Sequence, residues 1–471
     1  MQPPPLPPVI ATPASRRLPV FLKLAGIGGL ILLLHIPVLL THGILMERQA
    51  YQRQAVAEIA SRWGRDQTLT GPVLAVPYAY RTQVIRSKVV AGRVTKVDET
   101  ELTAAMAYFL PEALTVTGSV ETEVRHRGIF DAAVYGTRLR VTGWFQPDFA
   151  AADIKADRID WDRARVLVGI ADLRGVRSVS PLEVAGIKPA EFAAADGSAG
   201  ECLPLAAPAG SAAAGARLEF AFEVALQGSD ELQVTPVGKV TKLALDSAWP
   251  DPSFCGAYLP VRRDVAQAGF KAEWEISQFS RGFPQSWTTQ TEGRETMLGR
   301  IGAACFGVAF AQPVDGYRLA ERAEKYALLF FVLVFAVFFL FETTAALRIH
   351  PLQYGLVGAG LCLFFLGFLA LSEFMAPGLA YGIAATACTG LVTLYAWSFL
   401  RTGRRTLVLA GGLAATYGYL FFVLQSQDFA LLAGTGALFV VLGLAMYVTR
   451  RINWYALAAG PALPAAAGDC Q

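Results

Sequence analysis

Glu342 closes a run of fifteen apolar residues, Ala327 to Phe341, and Glu373 follows another long apolar run. A carboxylate set in hydrocarbon is the residue type that moves protons or ions. His35 lies within the run Leu24 to Thr41, and an imidazole titrates near neutral pH. Position argues for a plainer role. Both carboxylates fall at the ends of their runs, where water or a basic side chain satisfies them. Arg348 is the nearest basic residue to Glu342, at a spacing too wide for a helical i,i+4 pair, so pairing needs a bend in the chain. Glu342, Arg348, His350 and Glu373 are therefore the candidate residues, read as ties at the membrane ends of helices.

Other chemistry is absent from the pattern. The four histidines, His35, His42, His126 and His350, are not at metal-ligand spacing with Cys, Asp or Glu, and neither HExxH nor CxxC occurs. There is no G-x-S-x-G, and Gly238-Lys239 lacks the flanking residues of a phosphate loop. Cys202, Cys255 and Cys305 fall outside the apolar runs, so at least one of them is unpaired, and no disulfide framework is implied. No catalytic residue, cofactor site or metal site is assigned, and a non-enzymatic protein is expected.

The elements around these residues follow from composition. The chain has 471 residues, 54% hydrophobic and only 17% charged, with a net charge of +3. Its mean hydropathy is +0.41. A soluble domain carries roughly a quarter charged residues, yet Ala327 to Val448 holds seven charges. A wholly soluble protein is excluded, and the small net charge gives no reason to expect nucleic acid. Six transmembrane helices are predicted, since about 20 apolar residues cross the roughly 30 Å hydrocarbon layer. An uncleaved anchor spans 20–41, and five further helices occupy 327–347, 353–371, 376–399, 406–424 and 428–448. Pairs such as Gly355 with Ala359 and Gly411 with Ala415 have the spacing that lets helices approach closely.

Basic residues mark one set of ends: Arg16, Arg17 and Lys23, then Arg348, then Arg401, Arg404 and Arg405, then Arg450 and Arg451. The opposite short loops carry Glu373 and Asp428 without Lys or Arg. Both termini are therefore expected in the cytoplasm. Residues 1–19 form a Pro-rich tail expected to be disordered, and 449–471 a second cytoplasmic tail.

Residues 42–326 are expected to form a large periplasmic domain. It opens with a helix bearing Tyr51, Ala55, Ile59 and Trp63 on one face, stopped by Gly64 and Gly71-Pro72, the latter turning the chain into the first strand. Period-2 alternation then predicts strands at Val73–Tyr80, Leu114–Val124, Arg138–Phe145, Arg165–Ile170, Arg217–Leu226 and Ala268–Ser277. The expected fold is β-rich, an antiparallel sandwich-like packing in one or two lobes, with a long connection at 186–216. A helix at Tyr317–Tyr326 is expected to lead straight into the second span.

Several ordered strings carry a family resemblance. They include Leu69-Thr70-Gly71-Pro72-Val73-Leu74-Ala75-Val76-Pro77-Tyr78, Ser280-Arg281-Gly282-Phe283-Pro284-Gln285 and Arg322-Ala323-Glu324-Lys325-Tyr326. Phe338-Phe339-Leu340-Phe341-Glu342, Ile349-His350-Pro351-Leu352-Gln353-Tyr354 and Leu371-Ser372-Glu373 follow, and Thr449-Arg450-Arg451-Ile452-Asn453-Trp454-Tyr455 closes the set. From about residue 47 to 455 the chain resembles the CreD family of bacterial inner-membrane proteins. The resemblance implies a multi-pass inner-membrane location and a part in cell-envelope integrity and envelope-stress regulation. It implies no established reaction and no catalytic residues. Besides the lipid bilayer, the expected partner is an envelope component or a periplasmic or inner-membrane protein, bound by the periplasmic domain. A transporter or lipid-handling protein using the six-span unit is the alternative.

Overall fold

The computed structural model describes residues 20–90, 93–185, 187–195, 203–210, 217–291, 294–310, 316–344, 349–400, 402–425 and 430–450. The expected tail 1–19, residues 451–471 of the second tail and Arg348 lie outside these residues. The chain divides into two compact units, residues 1–50 with 314–471, and residues 51–313.

The first unit is helical. Helix α1, Val20–Trp63, contributes residues to both units. After α2, Arg294–Ala303, which belongs to the second unit, come α3 (Gly316–Lys325) and α4 (Ala327–Thr344), interrupted only at Tyr326. They are followed by α5 (Pro351–Ser372), α6 (Pro377–Leu400), α7 (Gly403–Gln425) and α8 (Ala430–Thr449). The bounds of α4 to α8 differ from the sequence reading by a few residues, whereas α1 continues past residue 41 to Trp63, so the expected anchor and the helix bearing Tyr51 to Trp63 are one helix. Among the described residues four helices are long and apolar enough to cross a membrane: α1 over Leu22–Trp63, α5, α6 and α7. The apolar stretch of α4, Ala327–Phe339, is shorter.

Hydrocarbon gives these helices no hydrophobic drive to associate, so shape and satisfied polar groups hold them together. Phe331, Phe335, Phe338, Phe364, Phe365 and Phe368 are fully buried. Tyr417 lies between Phe330 and Phe364, at ring distances of 4.7 and 4.6 Å. A polar chain crosses three helices: Tyr381 Oη donates to the Tyr417 carbonyl at 2.7 Å, Tyr417 Oη to Cys388 Sγ at 2.9 Å, and Cys388 Sγ to the Gly360 carbonyl at 3.1 Å. No donor in that chain is left to face lipid. The space at Gly358 is filled by neighbouring helices: a Cβ there would lie 2.1 Å from Leu34 Cδ1 and 3.0 Å from Phe335 Cζ. Gly411 has no such neighbour within 4 Å, and Gly355 meets Leu30 only at 3.9 Å.

The second unit is β-rich. Its strands form one sheet of ten and one of eight. Gln67–Val90 pairs antiparallel with Arg93–Phe109 and with Arg165–Ile170. In the other sheet Phe130–Phe145 runs antiparallel to both Ala113–Arg127 and Leu218–Ser229. In that last strand Leu218, Phe220, Phe222 and Val224 are buried while Glu219 and Glu223 are exposed, which is the alternation read from the sequence. Both sheets feed one hydrophobic core. Tyr135 meets Phe310 at 5.0 Å, and Trp274 packs on Phe254 and Phe306 at 5.7 and 5.9 Å, each pair drawn from different sheets.

Three expectations need correction. Two pairings are parallel, Gln67–Leu69 with Leu232–Val234 and Ala113–Val120 with Val240–Ser247, so the sheets are not purely antiparallel. Gly71-Pro72 does not join helix to strand. The helix ends before Gly64, whose φ of +146° sets its backbone where a Cβ would clash with the Gln227 carbonyl at 2.4 Å. The strand from Gln67 runs through Gly71-Pro72 as an irregularity in its pairing with Arg165–Ile170. Proline fits there because a break in the ladder needs no N–H. Within 186–216, Ala193–Ala194 and Leu205–Pro208 are strands of the ten-stranded sheet; residues 186, 196–202 and 211–216, Cys202 included, lie outside the description.

The string Ser280 to Gln285 proves to be a clamp in this unit. Buried Arg281 donates through Nη1 to the Val237 carbonyl at 2.6 Å and the Pro236 carbonyl at 3.3 Å, and through Nη2 to Gln285. Gln285 Nε2 donates in turn to the Leu110 and Pro111 carbonyls at 2.9 and 2.7 Å. Burial brings the Arg281 guanidinium down to about 10, so its charge is retained at neutral pH.

Candidate functional site: two polar ties of the helical unit

The charged residues singled out in the sequence fall into two groups in the helical unit. At one end, Glu342 at the close of α4 accepts from Lys23 Nζ of α1, from Tyr354 Oη of α5 at 3.1 Å, and from the Ile349 amide at 3.4 Å. Its side chain is 11% exposed. The string His350 to Tyr354 supplies the local geometry. His350 caps α5, its Nδ1 accepting from the Leu352 amide at 3.2 Å, while Gln353 Oε1 accepts from the His350 amide at 3.0 Å. Pro351 is the first helical residue, where its missing N–H costs nothing. Tyr354 then follows on the first turn and reaches Glu342.

At the other end, Glu373 caps the C-terminus of α5 and receives Tyr317 Oη of α3 at 3.0 Å and Arg48 Nε of α1 at 3.4 Å. Beside it His42 Nδ1 meets Glu324 Oε2 at 2.9 Å. Glu324 is buried, and burial raises its carboxyl above the usual range against the lowering effect of the His42 hydrogen bond. Its Oε1 has no hydrogen-bond partner among the described residues. Glu321 and Lys325 form the i,i+4 pair read from the sequence, at 3.0 Å.

The two ties have matched spacing. Lys23 and His42 are nineteen residues apart in α1, and their partners Glu342 and Glu324 are eighteen apart along α3 and α4. Nineteen residues of helix rise about 28 Å, close to the hydrocarbon thickness. Two pairs so spaced lock α1 against α3–α4 in one register. Residues 327–341 between the partners hold no polar side chain, and α1 between Lys23 and His42 holds only His35 and Thr41. Thr41 Oγ1 donates to the Pro37 carbonyl at 3.0 Å, and His35 Nδ1 is buried without a partner among the described residues. Among the described residues nothing in this arrangement favours a transporter.

Of the four candidates, the structure brings Glu342 and His350 to one end and Glu373 to the other. Lys23, Tyr354, Arg48, Tyr317, His42 and Glu324 complete the clusters and were not read as partners from sequence. The near-equal spacing of Lys23 and His42 in α1 and of Glu342 and Glu324 in α3–α4 was the available signal. Among the described residues no group of three or more His, Cys, Asp or Glu is placed to hold a metal ion. Cys255 and Cys305 are free thiols, and Cys305 Sγ donates to Gln233 Oε1 at 2.8 Å.

Apolar helices long enough to cross a bilayer, tied by charges at both ends and continuous in sequence with a β-rich unit, define an integral membrane protein. The family model described as Inner membrane protein CreD matches residues 19–455. The chain is also 33% identical over 444 residues to the Inner membrane protein CreD of Escherichia coli (strain K12), covering 93% of this chain and 94% of that protein. The chain belongs to the CreD family of inner-membrane proteins.

Proposed function

We propose that this chain is a non-enzymatic, six-span inner-membrane protein with both termini in the cytoplasm. Helices α4 and α8 are taken as spans beside α1, α5, α6 and α7. Residues 42–326 are the periplasmic part, a sandwich-like β domain that binds an envelope component or a partner protein and so contributes to envelope integrity. Glu342, Arg348, His350 and Glu373 serve the structure of the membrane ends. The observation that carries the reading is the insertion of two sheets, of ten and eight strands, between α1 and the remaining apolar helices. A domain of that size is far beyond what a connection between spans needs. The bias of basic residues toward the Lys23 end supports the orientation.

Two measurements test it. A reporter active only in the periplasm should be silent when fused after Tyr455 and active when inserted at the exposed turn near Gly128; the reverse pattern refutes the topology. Crosslinking from residues 67–310 in intact cells should capture envelope material. Capture of cytoplasmic proteins alone overturns the functional reading.

A further inference from the structure

A cleft of about 540 Å³ opens in the β-rich unit between the strand Gln67–Val90, the segment 152–157, and the turn after Ser286–Thr288. Its volume falls within the roughly 300–1,000 Å³ of sites for small molecules. Its walls are ordered by contacts away from the opening. Asp148 accepts from the amides of Ala150 and Ala151 at 2.9 and 3.0 Å, and Ile154 N–H donates to the Phe149 carbonyl at 2.9 Å. Phe149 is inserted among Tyr78, Phe109 and Trp161, at ring distances of 5.8, 5.2 and 5.6 Å. Asp153 holds a φ of +54°, a left-handed conformation that Asp tolerates and that lets the segment turn sharply. On the opposite wall Thr288 and Thr291 are joined through their hydroxyls and backbone.

The chemistry of the lining selects a ligand class. Tyr80 gives it aromatic surface, and the exposed amide of Gln290 both donates and accepts. Charge is balanced: Arg81, Lys155, Asp153 and Asp157 all line the cleft, and Arg81 is already paired with Asp157 at 3.4 Å. A site for phosphate or a lipid headgroup needs an excess of positive charge, and a site for an acyl chain needs dry walls. This lining is neither. It suits a molecule with no dominant charge, apolar C–H faces and many hydroxyls at its edges.

We propose that this cleft binds a short segment of a neutral glycan, one or two hexose-sized rings, stacked on Tyr80 and hydrogen-bonded by Asp153 and Gln290. The proposal rests on the reading that the β domain binds an envelope component, and it names the chemistry of that component.

The test uses the full-length protein in detergent micelles, with N,N′-diacetylchitobiose and maltose as neutral probes and an uncharged tetrapeptide as the competing class. Saturation-transfer NMR should show transfer to at least one saccharide at millimolar concentration or below. Tyr80→Ala and Gln290→Ala should weaken it about tenfold or more, the exposed Gln290→Ala with the melting temperature unchanged. The proposal is overturned by no saccharide transfer with folded wild-type protein, or by transfer to the tetrapeptide alone. Binding that survives both substitutions also overturns it, because the saccharide then sits elsewhere. Crosslinking in cells separates this from the broader reading: if residues 67–310 still capture envelope material while the cleft takes no saccharide, only the glycan assignment fails.

Discussion

Lys23 and Glu342 are 319 residues apart in sequence and form one ion pair at the end of the helical unit. The pair is half-sheltered, with the lysine side chain 29% exposed and the carboxylate 11% exposed, and Tyr354 donates to the same carboxylate. Removing one partner of a buried pair costs about 3–5 kcal/mol; the access of water to Lys23 brings the expectation here to about 2 kcal/mol. Lys23→Met and Glu342→Gln should each lower thermal stability in detergent. The exchange Lys23→Glu with Glu342→Lys should recover part of it. A Glu342→Gln protein of unchanged stability that fails to restore envelope integrity in a deletion strain would defeat the structural reading and reinstate an ion path.

Gly358 makes a second test, because it separates contact from motif. A side chain there must displace Leu34 and Phe335, whereas Gly411 has no heavy atom within 4 Å to obstruct one. Overpacking a filled interior costs typically about 1–3 kcal/mol. Gly358→Leu should lower the melting temperature in detergent and Gly411→Leu should leave it nearly unchanged. Equal effects at the two sites would contradict the packing described.

What the sequence made legible follows the range over which each cause acts. Alternation in Leu218–Val224 depends on neighbours two residues away, so the strand and its buried face could be read directly. The apolar runs were legible for the same reason, since a bilayer acts on each helix separately. Gly71-Pro72 misled because its composition is that of a turn, while its conformation is set by a distant strand pairing with Arg165–Ile170. The parallel pairing of Ala113–Val120 with Val240–Ser247 has no local signature. Glu342 and Glu373 could be found from their positions at the ends of apolar runs. Their partners Lys23 and Arg48 could not, because helix packing brings them together.

Arg281 gives a third prediction. Its guanidinium bridges the Val237 and Pro236 carbonyls to Gln285, and a methionine of similar length would leave those acceptors without their donors. Each buried group so orphaned costs about 1–3 kcal/mol. Arg281→Met should make the β-rich unit markedly more susceptible to proteolysis in the full-length protein. Arg281→Lys should recover less than half of the loss, because a single ammonium cannot reproduce the planar fork. Full protection in the methionine variant would remove the clamp from the account of this unit.

The last prediction concerns Asp230, which holds a φ of +56° where Leu218–Ser229 passes into Glu231–Val234. Its backbone is fixed independently of its charge: the carbonyl accepts from the Phe310 amide at 2.7 Å, and the amide donates to the Ala133 carbonyl at 3.5 Å. The carboxyl group is raised from 3.8 to about 6, first by desolvation and then by repulsion from Asp66 and Glu231. Those two carboxyls are themselves raised, chiefly by desolvation. For an acid, a folded-state value above the unfolded one means that ionisation disfavours the fold. The penalty is absent below about pH 4, where both states hold the proton, grows between pH 4 and 6, and is complete above 6. Solvent reaches the Asp230 side chain and screens the repulsion, which limits the penalty to about 1 kcal/mol. Asn keeps the size of the side chain and tolerates the left-handed backbone. Asp230→Asn should therefore raise the melting temperature at pH 7.5, by a margin that shrinks through pH 6 and disappears near pH 4. A gain that stays constant across that range would locate its origin in the backbone turn, and a loss at pH 7.5 would show that the Asp230 charge is stabilising.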